Sequence, residues 1–285
     1  MKVLATIPDM LAASRSVRRE HKRLGLVPTM GALHEGHLSL VRAAKSRCDA
    51  VTVSIFVNPT QFGPNEDFAK YPRNFERDRE LLHKEGVDFI FAPSVEEMYP
   101  AGAITWVTVE GMSDRLCGRS RPGHFRGVTT VVAKLFNIVE PDLAFCGQKD
   151  AAQAAIIRRM VRDLNLPVEI VVCPIVREPS GLAMSSRNAY LSAEQRQSAL
   201  VLYGSLKEIA RRFQSGERNA ASLITAGKQI VAREPSLRLD YLEVVDPGTL
   251  EPLPTINRPA LVAIAAFVGT TRLIDNVVLG NLGKL

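Results

Sequence analysis

The stretch Pro28-Thr29-Met30-Gly31-Ala32-Leu33-His34-Glu35-Gly36-His37 decides how this chain is read, because it joins a short apolar run to a helix-patterned segment. Residues 24–29 are strand-like, and residues 38–48 follow with helical spacing. In an open α/β sheet, ligands sit beyond the carboxyl ends of the strands. A helix starting near Gly36 aims its free amides and the positive end of its dipole into that crevice. The two imidazoles can donate hydrogen bonds to phosphate oxygens, and Gly36 lets phosphates come close. A phosphorylated ligand is the expectation.

Outward from this stretch, strand and helix signals alternate. Residues 51–57 are nearly all β-branched, with apolar positions on both faces, as in a strand covered on both sides. Asn74 can cap a helix whose Phe75, Leu81 and Leu82 face inward, and Gly86 ends it. Further strands are predicted at 88–92, 104–109, 143–146 and 168–173. Between the last two, Ile156, Ile157, Met160, Val161 and Leu164 form one helical stripe. The pattern predicts an α/β fold, a Rossmann-like doubly wound parallel sheet over residues 1–176. A smaller α+β carboxy-terminal domain, a lid, is expected over 177–285. There a loop rich in Gly, Ser and Pro runs to Asn188, and Ser192 with Gln195 makes a capping box. Leu202, Leu206, Ile209 and Phe213 lie on the inner face of the helix that follows, which Gly216 closes. A second helix near 220–232 and strands at 237–245, 261–268 and 272–279 predict a small antiparallel sheet under two helices.

Composition narrows the function. The 285 residues are 46% hydrophobic and 23% charged, enough for a real core. Lys and Arg outnumber Asp and Glu by 36 to 30, a net +6 that favours anionic partners. With five Tyr, one Trp and no basic tract, neither nucleic acid nor a membrane is the expected partner. The longest apolar run, residues 260–268, is about half the length of a membrane span. Residues 1–10 alternate in polarity and contain Pro8, unlike a signal peptide, so a cytoplasmic location is expected. Cys48, Cys117, Cys146 and Cys173 are far apart, which suits reduced core thiols rather than a disulfide framework or zinc site. Neither GxxxxGK[ST] nor GxGxxG occurs, so a P-loop or standard dinucleotide enzyme is not indicated.

A second cluster, Val176-Arg177-Glu178 followed by Met184-Ser185-Ser186-Arg187, offers two hydroxyls and a guanidinium on a loop suited to close over a triphosphate. Together, HxGH and a KMSKS-like loop resemble the nucleotidyltransferase superfamily. The resemblance sharpens at five ordered blocks: residues 28–37; Phe56-Val57-Asn58-Pro59-Thr60-Gln61-Phe62; Arg121-Pro122-Gly123-His124-Phe125-Arg126-Gly127; Phe145-Cys146-Gly147-Gln148-Lys149-Asp150; and Met184-Ser185-Ser186-Arg187-Asn188. Over essentially the whole chain the sequence resembles the pantoate–β-alanine ligase (pantothenate synthetase) family.

That resemblance implies a fold, a reaction and roles. Family members have a Rossmann-like domain and a smaller lid domain, and are usually homodimers. They join pantoate to β-alanine through pantoyl adenylate, releasing pyrophosphate and then AMP, with Mg²⁺ accompanying ATP. By position, Met30, Gly31, His34, Gly36 and His37 match the ATP-phosphate segment, with His37 at the place of the proton donor. Gly147, Lys149, Asp150, Val176, Met184, Ser185, Ser186 and Arg187 match further ATP contacts, and His34, His37 and Lys149 are the catalytic candidates. Gln61 and Gln153 match the pair that holds pantoate, with Gln61 also near the β-alanine site. No protein metal-ligand cluster is expected, because Mg²⁺ would sit on phosphate oxygens.

The residue types suit these roles. A glutamine amide both donates to a carboxylate and accepts from a hydroxyl. Lys149 follows a strand end, where a flexible ammonium can track shifting phosphate charge. Gln153 lies about one helical turn beyond Asp150, so both can face the crevice. Many relatives carry two adjacent glutamines where this chain has Ala152-Gln153, which puts a neighbouring polar contact in doubt. Arg121, His124 and Arg126, read as lying in a Pro-Gly loop, suit anion binding or pairing at a subunit interface, and stay outside the catalytic set. Two other readings fit less well: a nucleotidyltransferase that stops at a nucleotidylated product, against which residues 58–62 and the separate carboxy-terminal domain argue, and, from a different class, an RNA-binding protein on a synthetase-like fold, which would call for a basic or aromatic-rich surface module that the sequence lacks.

Overall fold

The computed structural model describes residues 1–64 and 66–280. In chain order the elements are β1 (Lys2–Leu4), α1 (Ile7–Arg19), β2 (Leu24–Thr29), α2 (Glu35–Lys45), β3 (Ala50–Ile55), α3 (Phe75–Lys84), β4 (Phe89–Phe91), α4 (Val95–Met98), α5 (Cys117–Ser120) and α6 (His124–Val139). They continue with β5 (Leu143–Gly147), α7 (Ala151–Asp163), β6 (Glu169–Cys173), α8 (Ala193–Gln214), α9 (Ala220–Val231), β7 (Leu237–Val245), β8 (Ala260–Val268) and β9 (Thr271–Leu279).

Six parallel strands form one sheet in the order β1-β4-β3-β2-β5-β6. Its faces are covered by different helices, as the alternation of strand side chains requires. Leu24 and Leu26 of β2 and Ala144 and Cys146 of β5 pack with α1, α6 and α7. Val27, Leu143 and Phe145 from the same strands pack with α2 and α3 on the other face. The predicted doubly wound sheet is what forms. The strand order reverses between β2 and β5, and that is where such sheets open a crevice.

The second sheet is antiparallel, ordered β7-β8-β9, with α8 and α9 against it. Ser192 and Gln195 form the expected capping box at α8, and Asn74 caps α3 by accepting from the Arg77 amide. Buried residues of β7 and β8, among them Tyr241, Leu261 and Ala263, also join the core around α6, so the two sheets share apolar contacts.

Four readings need correction or addition. Residues 104–109 form no strand among the described residues, and Ile104 is 85% exposed. A β-branched run satisfies the local preference for strand, but a strand also needs a neighbour to bond to. His124 and Arg126 belong to the first turn of α6, not to a loop, and the helix over His124–Val139 was not predicted. Leu164 falls out of the α7 stripe, at the C-cap and 52% exposed, whereas Ile156, Ile157 and Met160 are buried. The edge strand β1 and helix α1 escaped the sequence reading.

Candidate active site

Pairing between β2 and β5 runs only from Gly25↔Leu143 to Leu26↔Ala144. Pro28 then removes a backbone donor from β2, and the two strand ends part. Residues 28–37 and 147–150 leave the sheet on either side of the gap. A cavity of about 220 Å³ opens there, and every residue matched above to ATP, pantoate or β-alanine lines it except Gly31. Gly31 is buried in the turn with φ +80°, where a Cβ would meet Asp78 Oδ2 at 3.0 Å and Ile55 Cγ2 at 3.1 Å, so its role is to let the chain turn. A second cavity of about 680 Å³ adjoins the first on the side of β9, and Lys149, Asp150, Gln153, Ser185 and Arg187 border both.

The two histidines are fixed by their own backbone. His34 caps α2, its Nδ1 accepting from the Gly36 amide at 3.1 Å. His37 Nδ1 accepts from the His34 amide at 3.4 Å, and the rings lie 4.1 Å apart between centroids. Because both Nδ1 atoms accept, both rings carry their proton on Nε2. Burial, reinforced by the charge of Lys149, lowers the His34 pKa to about 4; burial and the neighbouring His34 lower that of His37 to about 3. Both are neutral donors near pH 7. Asp78 stabilises the preceding turn, accepting from the Ala32 and Leu33 amides, each at 2.8 Å.

Gln61 ends a 3-10 turn, Pro59–Gln61, packed on α6. Asn58, 1% exposed, donates to Gln61 Oε1 at 3.2 Å and to Gly127 O at 3.1 Å, and its own oxygen accepts from Thr60 and Tyr99. The Gln61 main-chain carbonyl accepts from His124 Nδ1 at 2.8 Å and from Arg121 at 3.2 Å, while Arg121 also grips Glu66 through both carboxylate oxygens. Burial, with the Arg121 charge adding, lowers the His124 pKa to about 4, so this ring is neutral too. Arg121 and His124 thus hold Gln61 in place. Arg126 points away, its guanidinium 4.3 Å over the Trp106 ring.

The turn carrying Lys149 follows β5, and Gln153 stands one turn into α7. The Lys149 ammonium lies 3.5 Å from the Asp150 carboxylate. Across the cavity, Ser186 donates to Ala32 O at 3.2 Å and Ser185 accepts from the Arg187 amide at 3.3 Å. Arg187 is paired with Asp67. The site therefore assembles neutral imidazole donors, one ammonium, one guanidinium and two hydroxyls around a gap at the sheet's switch point. Such a set binds and neutralises phosphates, and it contains no obvious covalent nucleophile.

The sequence profile of the family described as Pantoate-beta-alanine ligase matches residues 2–278. The chain belongs to the pantoate–β-alanine ligase family. It is 62% identical to the pantothenate synthetase of Acidobacterium capsulatum, over 99% of this chain and 98% of that one. The crystal structure of pantothenate synthetase from Thermus thermophilus superposes with a TM-score of 0.92 at 47% identity, covering 97% of this chain and 99% of that one. The pantoate-beta-alanine ligase of Francisella tularensis, solved as a complex with beta-gamma ATP and beta-alanine, gives 0.80 at 35% identity, covering 98% and 97%.

Within this ligase fold the sequence reading missed several residues that hold the site. Arg121 and His124 lay inside a quoted block, yet they support Gln61 across 60 and 63 residues, and Asn58, three residues from Gln61, is itself tied to Gly127 across 69. Asp67 and Asp78 carry no local signal beyond being acidic residues in or near a loop.

Proposed function

We propose that the chain condenses pantoate with β-alanine using ATP, through pantoyl adenylate, to give pantothenate, AMP and pyrophosphate. A pantoate carboxylate oxygen attacks the α-phosphorus, the bond to the bridging α–β oxygen breaks, and pyrophosphate leaves. The neutral amine of β-alanine then attacks the acyl carbon, AMP leaves with its oxygen, and the amine sheds a proton. The observation that carries this reading is the gap at the β2/β5 switch point, which residues of four of the five sequence blocks line and which the remaining block supports through Arg121 and His124 on Gln61.

In this reading His34 and His37 donate from Nε2 to phosphate oxygens. His37 serves as a neutral donor that follows the developing charge, which its lowered pKa favours over a charged acid. Lys149, Ser185, Ser186 and Arg187 neutralise the β- and γ-phosphates as pyrophosphate departs. Met30 and Gly36 border the phosphates closely, Gly147 and Asp150 face the ribose, and Val176 and Met184 flank the base. Gln61 and Gln153, on opposite sides of the gap, hold pantoate, and Gln61 also meets β-alanine. Ala152 is buried beside Gln153, so a single glutamine carries that side of the acid site.

Mg²⁺ belongs to the same proposal. Among the described residues no group of three His, Cys, Asp or Glu could hold a metal, and Asp150 is the one carboxylate bordering the smaller cavity. The residues fit a cation that takes its ligands from phosphate oxygens and water, with Asp150 at hand. When bound, it screens the charge of the phosphates.

The division at residues 176 and 177, a homodimer and the cytoplasm complete the reading. Exposed Ile104 and Trp106 support a partner-covered surface, and four free cysteines support a reducing compartment. Labelled pyrophosphate should exchange into ATP when pantoate is present and β-alanine is absent. Release of ADP in place of AMP would overturn the adenylate route.

A further inference from the structure

Two adjacent buried residues of the edge strand β9 each grip one of the two segments that carry the nucleotide residues. Asp275, 4% exposed, takes both terminal nitrogens of Arg177 at 2.6 and 2.9 Å. The same guanidinium donates to Gly181 O at 3.1 Å and lies 3.9 Å over the Tyr203 ring. Arg177 begins the loop that leads to Ser185, Ser186 and Arg187, so that loop is rooted on β9. Asn276, 3% exposed, serves the other segment. Its Nδ2 donates to the carbonyls of Gln148 and Lys149 at 2.9 and 3.0 Å, and its Oδ1 accepts from Gln148 Nε2 at 3.0 Å.

The Lys149 turn needs such external support. Neither Gly147 at the start of the 3-10 turn nor Asp150 at the start of α7 makes a side-chain cap. A lysine ammonium on a four-carbon stem has many rotamers, and the place it can reach is set by where its main chain is held. Asn276 commits both of its N–H groups to this turn, one of them to the carbonyl of Lys149 itself.

We infer that Asn276 is a positioning residue for the adenylation step, fixing the main chain of Lys149 while Asp275 beside it roots the loop bearing Ser185, Ser186 and Arg187. One strand of the carboxy-terminal sheet thereby sets the distance between the two sources of positive charge that act on the phosphates. The inference rests on the proposed role of Lys149.

A double-mutant cycle in the pyrophosphate-exchange reaction tests it, with Asn276→Ala, Lys149→Ala and the two combined. Displacing a catalytic group by about 1 Å can cost on the order of a hundredfold. Asn276→Ala should lower the exchange kcat by roughly tenfold or more, on that scale, and leave the KM for pantoate unchanged. In the Lys149→Ala background the same change should cost less than about twofold, since residues that act through one another are not additive. Gln148→Ala removes only the side-chain bond to Asn276, leaves both carbonyl bonds, and should reproduce the effect in weaker form; it carries the cycle if Asn276→Ala does not fold. Full additivity, or equal losses in pantoate KM and kcat, would overturn the inference and leave Asn276 as a general structural contact. A Lys149→Ala enzyme with undiminished exchange would overturn the Lys149 assignment, and the inference with it.

Discussion

The Asp67 carboxylate grips the Arg187 guanidinium through both oxygens, Nε to Oδ2 at 3.0 Å and Nη2 to Oδ1 at 2.8 Å, across 120 residues of chain. Burial alone would raise the Asp67 pKa, but the hydrogen bonds and charge of Arg187 outweigh it and hold the carboxyl below its ordinary value. The guanidinium proposed for phosphate thus already has an anionic partner. A nucleotide must displace that carboxylate or share the cation with it.

Asp67→Asn should therefore lower the KM for ATP by about three- to tenfold, the scale of a charge-assisted hydrogen bond no longer competing. The effect on kcat should stay within about threefold of wild type, a small fraction of the loss from removing a catalytic donor. Titration of ATP in steady state checks this. A raised KM would mean that the pair shapes the loop for ATP instead of competing with it.

Replacing His37 by Ala should slow adenylate formation about a hundredfold or more, the usual cost of one preorganised donor to a developing charge. His37→Gln, which keeps an N–H donor, should recover part of the loss. Rapid-quench measurement of the first half-reaction separates the two variants. Because the ring is neutral well above its pKa of about 3, the exchange rate should show no titration near 6.5 that depends on His37. A limb at that pH which vanishes in His37→Ala would show a charged imidazole at work.

Acid should destabilise the ligand-free chain. His34, His37 and His124 have folded-state pKa values of about 4, 3 and 4, against 6.5 for the unfolded side chain, chiefly because they are buried. Between pH 6.5 and about 4 the unfolded chain binds these protons and the folded chain does not, so stability falls as pH falls through that window. Each unit of depression corresponds to about 1.4 kcal/mol. Urea unfolding at pH 7.5 and 4.5 measures the loss, and His124→Gln should flatten the slope. An unchanged slope in that variant would remove His124 from the explanation.

Asn58→Ala should raise the KM for pantoate by about tenfold, since a buried hydrogen bond lost with its partner left unpaired is worth roughly 1–3 kcal/mol. The KM for ATP should hardly move. Gln153→Ala should show the same selectivity by direct loss of contact. Adding Asn58→Ala to Gln61→Ala should cost little more than Gln61→Ala alone; an additive loss would mean that Asn58 does not act through Gln61.

Gly127→Ala should both destabilise the fold and disturb pantoate binding. A Cβ there would stand 2.3 Å from Thr60 O and 2.7 Å from Gln61 N, and these are backbone atoms that cannot swing aside. Overpacking of this kind costs about 1–3 kcal/mol. A lower melting temperature with a raised pantoate KM is expected, and a change in neither would show that α6 can slip away from the turn.

What the sequence by itself determined were features with local causes. Asn74 and Ser192 cap α3 and α8 because a short polar side chain reaches an amide three residues on. The strands β2, β3, β5 and β6 and the antiparallel trio read correctly because burial on both faces, or regular short connections, leave a pattern within a few residues. The HxGH turn was legible for the same reason: its histidines, its glycine and the helix start are neighbours in the chain. Tertiary structure alone decided the rest. Residues 104–109 have strand-like side chains, but strand formation is a property of a pair of segments, and no described segment pairs with them. Asn58 apart, which is three residues from Gln61, the supports of the site, His124 on Gln61, Asp67 on Arg187 and Asn276 on the Lys149 turn, join positions 63 to 128 residues apart. A hydrogen bond between distant residues exists only once folding has brought donor and acceptor within about 3 Å, and nothing in either local stretch records its partner.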